Sequence, residues 1–375
     1  MTTKLLHVGV VGGSLGGLFT AALLHRVGHH VTVLERSRTG LARRGAGLVG
    51  QQDLFDILTR LGLTAVTRSG VEARERITLD RRGDVLSRDP TPQTQLSWDY
   101  LYEGLRGVLP DGSHLQGSAV ASVRSEDARA VVQLDDGRNL SFDLVVGADG
   151  LNSVVREAVA DGQSANRYVG YVTWRGLVPE AALPDPSAET LLERFAFFTA
   201  SRSHMLGYLV PGPDGETGRG LRRYNWVWYR SLPLDGLKTL MVACGHAATS
   251  SSLAPGDLPA GLRDALVAAA ASELPEAFAQ AVAAEPRPFL QAIYDYVTPR
   301  MSADRVALVG DAAVVVRPHT AMGAAKAAGD AMALVDLLSS ELSVRDALAV
   351  YNRDRLPVGR SIARYGQQLG DSLPL

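Results

Sequence analysis

Leu5 to Val11 reads as a continuous apolar strand, as a parallel sheet covered on both faces requires. Leu15, Leu18, Phe19 and Ala22 then recur at helical spacing, and Gly28 is placed to end that helix in the left-handed conformation. HHVTVLER, His29 to Arg36, predicts a second strand and completes a βαβ opening. From Ala119 to Gly150, AVASVR, AVVQLDDGR and NLSFDLVVGADG predict short strands, with Asp136-Gly137 as a hairpin turn. They lead into a second buried strand, Asp143 to Ala148, and a helix is predicted from near Asn152. A third buried strand is predicted from Arg305 to Ala313. Beyond it, Ala324 to Leu338 is apolar nearly all round, the mark of a buried helix.

Between these lie strands of another character. Arg167 to Val178, His204 to Val210 and Arg222 to Arg230 are rich in aromatic and β-branched residues and predict a mostly antiparallel sheet. The expected fold is therefore α/β: a Rossmann-like nucleotide-binding domain interleaved with an α+β part built on that sheet, then C-terminal helices. Residues 1–70, 98–165 and 286–340 are assigned to the first, and 71–97 and 166–285 to the second. Residues 341–375 form a helical tail in which Pro357 is expected to break or bend the helix.

A length of 375 residues is long for one core and agrees with two packed domains. The net charge of −2, without a basic cluster, argues against a nucleic-acid partner. The single cysteine, Cys244, allows no intrachain disulfide and no CxxC metal site, and is expected to be a small buried hydrophobe. No window of about 18 residues is uninterruptedly apolar, so no membrane span is expected. MTTKLLHVGVVGG runs straight into a strand with no room for a cleavable leader, which predicts a cytoplasmic protein. The histidines show no HExxH spacing and no GxSxG elbow follows a strand, so neither a metal site nor a serine triad is expected. The hard chemistry falls to a cofactor.

The loop after the first strand is Gly12-Gly13-Ser14-Leu15-Gly16-Gly17. Set against GxGxxG, Gly12 allows the tight turn, and Gly17 lets helix and strand approach. Ser14 stands where a small residue lets a diphosphate reach the amides at the helix start. Gly13 and Leu15 complete the candidate loop. Glu35, 23 residues after Gly12, ends the second strand where an acid binds a ribose hydroxyl, and Arg36 follows it in the cofactor-binding set. The order strand, glycines, helix, strand and acid predicts a dinucleotide. The loop alone does not separate nicotinamide from flavin.

Two further segments do. DLVVGADGLNSVVR (Asp143 to Arg156) and RVALVGDAAVVVRPHTAMGAAKAAGDAMAL (Arg305 to Leu334), taken with the glycine loop, resemble the motifs of single-component (class A) flavin-dependent aromatic hydroxylases of the p-hydroxybenzoate hydroxylase type. The resemblance covers essentially the whole chain. GGSLGG, SWDYLYEGL, RPHTAMGAAKA and NWVWYR most resemble the subgroup that hydroxylates 2,6-dihydroxypyridine. It implies that the nucleotide-binding part holds FAD. Asp149 then helps to hold the pyrophosphate and the approaching nicotinamide, although an Asp-Gly pair serves equally well as a plain turn. Asp311 accepts from a ribityl hydroxyl. The loop from Pro318 to Ala325 opens a helix whose amides favour the negative charge of a reduced flavin. Gly323, Ala324 and Ala325 are small enough for close contact, and Pro318 packs beside the ring. Arg44 bridges to the phosphates or is simply solvated, Gly47 supplies flexible backbone beside the ring, and the Val120 backbone contacts adenine. Where many relatives carry an arginine before the YLYEGL helix, this chain has Ser97-Trp98-Asp99, as does the dihydroxypyridine-like subgroup.

The resemblance further implies NADH or NADPH as cosubstrate and oxygen transfer from a flavin 4a-hydroperoxide to an electron-rich hydroxylated aromatic or N-heteroaromatic ring. No second glycine-loop unit exists for the nicotinamide, in keeping with transient binding at the surface. A homodimer is allowed. Candidate pocket residues are Arg175, His204, Tyr208, Asn225, Trp228, Tyr229 and His319. Strand alternation sets Tyr224, Trp226 and Trp228 on one face and Asn225, Val227 and Tyr229 on the other, without saying which faces the flavin. Alternatives are the same chemistry on urate, hydroxynicotinate, salicylate or a biosynthetic intermediate. An NAD-linked Rossmann dehydrogenase and a non-catalytic flavin-binding protein are the others.

Overall fold

The computed structural model describes residues 5–41 and 47–375. Its first sheet is parallel except at one edge. The strand order is Ser302–Ala303, Val306–Leu308, Leu144–Gly147, His7–Val11, His30–Glu35, His114–Gln116. Val8, Val10, Leu144, Val145, Val146, Val306, Ala307 and Leu308 are fully buried, as doubly covered strands must be. The helix Leu15–Arg26 is buried on most sides, and Gly28 follows it at φ +97° as expected. It packs against a second apolar helix, Gly323–Leu338.

Local corrections to the expected elements have physical causes. The meander of Val120–Ser125, Ala130–Leu134 and Asn139–Phe142 is a separate antiparallel sheet. The helix expected near Asn152 is a short 3-10 turn, Val155–Ala158. Its start is fixed by the Asp149 carboxylate, and Arg156 is turned inward to distant carbonyls, which leaves no continuing helical face. The third buried strand stops at Leu308, because the chain turns tightly through Gly310 at φ +58°. Cys244 is half-buried at the end of the helix Leu234–Ala243 rather than fully buried.

The second sheet has nine strands and is antiparallel apart from the pairing of Arg194–Ala200 with Glu75–Leu79. Its centre is formed by Phe289–Val297, Arg167–Pro179, Arg223–Ser231 and Ser203–Val210. Trp174, Met205, Tyr224, Trp226 and Trp228 form one core with Leu237, Leu266 and Phe278 of the covering helices. The rings press so closely on this face that neighbours must be glycine. A Cβ at Gly176 would lie 2.3 Å from the Trp226 indole, and one at Gly207 2.2 Å from the Tyr224 hydroxyl. By alternation Tyr171, Thr173, Arg175, Leu177, His204, Leu206, Tyr208, Asn225, Val227 and Tyr229 face the other way.

The tail is a single helix, Val344–Asp371, which runs through Pro357 instead of breaking there. Its Gly359, Gly366 and Gly370 lie so close to Val314 and Arg317 that the backbone itself is the packing surface. That contact offsets the amide bond which proline removes. Among the described residues no helix is long and apolar enough to cross a membrane.

Candidate functional site

The glycine loop is built as the sequence requires. Gly12 has φ +105°, and a Cβ there would lie 2.4 Å from the Ala148 carbonyl oxygen. At Gly17 a Cβ would sit 1.9 Å from the Gly12 carbonyl oxygen. Ser14 caps the following helix by position but makes no side-chain cap bond, and Leu15 is buried beneath it. The first-turn amides are thus left to an anion. Glu35 is buried at the strand end, where its carboxylate accepts from the Gly13 amide at 2.8 Å and the Ser37 amide at 2.7 Å. Arg36 beside it is exposed. Val120 is half-buried and pairs with Leu134, and Arg44 lies outside the described residues.

Two segments close on that loop. Ala148 and Asp149 touch Gly12, while Ala327 lies beside both Gly16 and Gly310. The Asp149 carboxylate accepts from the Ser153 hydroxyl and from the amides of Val154 and Val155. Burial raises its pKa, and those donors oppose the shift. The acid is therefore held as the cap of the 3-10 turn, which fixes the backbone beside Gly12.

Asp311 differs. Its side chain makes no hydrogen bond or ion pair among the described residues, and it is exposed although Gly310, Ala312 and Ala313 around it are buried. Surrounding protein pushes its carboxyl above the ordinary value, against the pull of Lys326 and Arg156. An accessible acid ringed by protein faces an internal opening rather than bulk solvent. Pro318 and Gly323 are likewise exposed, Ala324 is half-buried and Ala325 is buried. The helix from Gly323 also lacks a side-chain cap, so its amides too are open to a ligand. Two uncapped helix starts, an unpaired carboxylate and a backbone pressed bare of side chains fit an extended nucleotide of the FAD kind.

Sequence reasoning missed the side chains that hold this cradle. Arg156 is buried and donates to the carbonyls of Asp311 (2.9 Å), Ala312 (2.9 Å) and Ser164 (3.0 Å). Its guanidinium lies 3.7 Å from the centre of the Tyr296 ring. Lys326 donates to the Gly310 carbonyl and to Asp330, which also receives Arg355 and the Gly310 amide. A Lys and an Asp at i and i+4 inside an otherwise apolar helix was the available signal. His114 carried none: both its ring nitrogens are buried and unpaired, next to Gly13 and Glu35.

The candidate pocket residues share one face, with one correction. Trp228 turns to the helices and donates to the Ser203 hydroxyl, so it is not part of the chamber. Cross-strand register sorts the rest into rows: Thr173, Tyr229, His204 and Thr199; Arg175, Val227, Leu206 and Phe197; Leu177, Asn225 and Tyr208. Arg175, Leu177, Phe197 and Leu206 are partly exposed, so the open space lies over the middle row. Arg175 makes no ion pair among the described residues, and its Nε is buried without a partner. At one end Asn225 Oδ1 accepts from the Gly47 amide at 3.4 Å, and the Tyr208 hydroxyl donates to the Gly47 carbonyl at 3.3 Å. At the other, the His319 ring lies 4.4 Å from Tyr229, and its Nε2 is 3.0 Å from the Tyr171 hydroxyl. His204 Nδ1 is 2.8 Å from Thr199 Oγ1. Burial pushes His204 down to about 4 and His319 to about 3, the latter helped by His204 and Arg317. Both imidazoles are neutral near pH 7. Burial raises the Tyr229 hydroxyl well above its usual range. Among the described residues the chamber is thus aromatic and uncharged apart from one arginine, and the loop carrying Pro318 and His319 closes it. A surface cavity of about 360 Å³ lined by Gln163, Arg167, Asp295, Tyr296 and Gln367 holds none of these groups.

A family model described as FAD binding domain matches residues 6–228 and 262–365, and one described as FAD binding domain-like matches 168–295. The 2,6-dihydroxypyridine 3-monooxygenase of Paenarthrobacter nicotinovorans is 29% identical over 95% of this chain and 88% of its own length. The 3-amino-4-hydroxybenzoate 2-monooxygenase of Streptomyces cremeus is 28% identical, covering 100% of this chain and 89% of that one. The solved structure of 2,6-dihydroxypyridine-3-hydroxylase from Arthrobacter nicotinovorans superimposes with a TM-score of 0.91 at 27% identity, over 100% of this chain and 94% of that one.

Proposed function

The chain belongs to the FAD binding domain family, whose matched relatives are FAD-dependent aromatic monooxygenases, and from that premise we propose that it hydroxylates an electron-rich hydroxylated N-heteroaromatic ring of the 2,6-dihydroxypyridine kind. The supporting observation is the chamber itself: planar aromatic walls, two neutral histidines and one unpaired arginine beside the loop that precedes the Gly323 helix.

In this reading Gly12, Gly13, Ser14, Leu15 and Gly17 receive the diphosphate, and Glu35 with Arg36 holds the adenosine ribose. Val120 borders the adenine, and Asp311 accepts from the ribityl chain. The helix start at Gly323, Ala324 and Ala325 faces the pyrimidine edge, with Pro318 and Gly47 beside the ring. Asp149 acts through the backbone it caps. When bound, FAD supplies electron transfer from NAD(P)H and the activation of oxygen. The protein orients the ring and excludes water. Arg175 draws the anionic oxygen of the substrate to the middle row. His204 and His319 are uncharged, so they hydrogen-bond the ring edge without competing for that anion. Tyr229 supplies the apolar wall, and Asn225 fixes the Gly47 backbone. NADH or NADPH as reductant, a cytoplasmic location and a homodimer belong to the same reading.

A benzenoid ring bearing a carboxylate is the second reading, favoured by the unpaired Arg175 and by the aminohydroxybenzoate-hydroxylating relative. The test is a panel of hydroxypyridines, hydroxynicotinate, aminohydroxybenzoate and salicylate, with oxygen uptake measured against product formed. Tight coupling with a dihydroxypyridine supports the proposal. Coupling with a benzoate alone favours the second reading. A flavin-free protein that takes up no added FAD overturns both.

A further inference from the structure

Residues 372–375 reach the face of the second sheet that carries the candidate pocket residues. After the helix ends at Asp371, the tail turns back over the second sheet. The Arg202 amide, at a hairpin residue held at φ +61°, donates to the Pro374 carbonyl. Leu375 is half-buried against the cluster of Tyr171, Val227, Tyr229 and Ile293. Val227 belongs to the Arg175 row and Tyr229 to the His204 row, so the cluster that this leucine packs against includes side chains of the middle row and of the row beside it.

The root of the tail is fixed independently. Arg317 is buried and donates to Asp295 through Nε and Nη2, both at 2.8 Å, and to Asp371 through Nη1 at 2.8 Å. A Cβ on Gly370 would lie 2.6 Å from Arg317 Nη1 and 3.0 Å from the Tyr171 hydroxyl, so helix and loop meet there without a side chain between them. Arg317 leads directly into Pro318 and His319, and His319 is paired with Tyr171. A backbone bond, an ion pair and an apolar contact therefore tie residues 371–375 to the second sheet and to the loop that carries Arg317.

We infer that residues 372–375 are the closing wall of the substrate chamber, with Leu375 as a specificity-determining side chain. It limits the size of ring admitted and keeps water from the space between the sheet and the Pro318 loop. The inference rests on the hydroxylase reading for its substrate but not for its geometry.

The test uses FAD-loaded enzyme with Leu375→Ala, Leu375→Trp and a chain shortened before Ser372. Iodide quenching of flavin fluorescence reads solvent access, and needs no substrate. KM, kcat and the fraction of consumed NAD(P)H recovered as hydroxylated product read the chamber in use. Leu375→Ala and the shortened chain are expected to quench more steeply, raise KM several-fold, and release more hydrogen peroxide for each NAD(P)H consumed. Leu375→Trp is expected to reject the bulkier rings of the panel and to quench no more than the parent. Should the shortened chain fail to fold, the two point variants decide. Unchanged quenching, KM and coupling in Leu375→Ala overturn the wall. A change in quenching where no ring in the panel turns over keeps the wall and sinks the substrate reading instead.

Discussion

At the scale of single residues, Asp311 carries the plainest expectation. It is an exposed carboxylate without a partner among the described residues, in a ring of buried ones, and protein crowding raises its pKa. A hydroxyl that donates to it relieves both conditions. Hydrogen bonds to charged groups contribute about 1.5–3 kcal/mol, so Asp311→Ala should weaken FAD binding by roughly tenfold to a hundredfold. Fluorescence titration of the apoprotein measures this, and full occupancy of the variant at parental FAD concentrations would remove the assigned role. His204 and His319 carry a second expectation. Their folded values, about 4 and about 3, lie below the unbound 6.5. Between pH 6.5 and about 4 the unfolded chain takes up protons that the folded chain refuses, so stability falls as pH drops through that window. Thermal midpoints at pH 7 and pH 5 should differ less in His204→Gln and His319→Gln than in the parent. An equal slope in all of them would show that these rings are protonated in the folded state. The position of Glu35 at a strand end was legible from the apolar run before it, whereas Asp311 lies in a turn beyond a strand that stops at Leu308. Arg156 was not legible, since its partners are carbonyls at residues 164, 311 and 312, and a chain does not announce which distant carbonyls will be orphaned.

At the scale of elements, hydrophobic pattern located the βαβ opening, the aromatic strands and the buried helix, because burial on one face or on all of them leaves a periodic trace. It failed where a local side chain or a distant packing surface decides. Asp149 shortens a helix to a 3-10 turn, and contact through Gly359, Gly366 and Gly370 carries a helix through Pro357. Polar contacts inside the helix Gly323–Leu338 show the same limit. Lys326 is fully buried and ties Gly310 to Asp330. Removing one partner of a buried ion pair is destabilising by about 3–5 kcal/mol. Lys326→Met should approach that, tempered by the Arg355 contact that Asp330 keeps, and chemical denaturation reads it. Loss of less than about 1 kcal/mol would mean that Arg355 alone neutralises Asp330. Gly17→Ala belongs to the same scale. With a Cβ placed 1.9 Å from the Gly12 carbonyl, helix and strand must part, so the variant should lose both stability and FAD affinity. Parental FAD affinity in Gly17→Ala would show that the loop tolerates a wider turn.

At the scale of the whole molecule, alternation divided the NWVWYR strand into two faces but could not choose between them. The choice is made by volume: Trp226 and Trp228 fit only where helices cover them, and Asn225 and Tyr229 are left to the chamber. The cofactor cradle follows the same logic, since its parts come from 12–17, 148–156 and 310–325 and meet only in three dimensions. A ligand held by all of them is a brace across segments far apart in sequence, and it binds the folded chain alone. Free FAD at a hundred times its dissociation constant should then stabilise the protein by about 2.7 kcal/mol. The thermal midpoint should climb with FAD concentration in the parent, and Asp311→Ala should need correspondingly more FAD for the same rise. AMP and FMN each engage only part of the cradle and should shift the midpoint less at equal concentration. If FMN alone reproduced the whole shift, the glycine loop and Glu35 would have no share in holding the nucleotide, and the three segments would not act as one site.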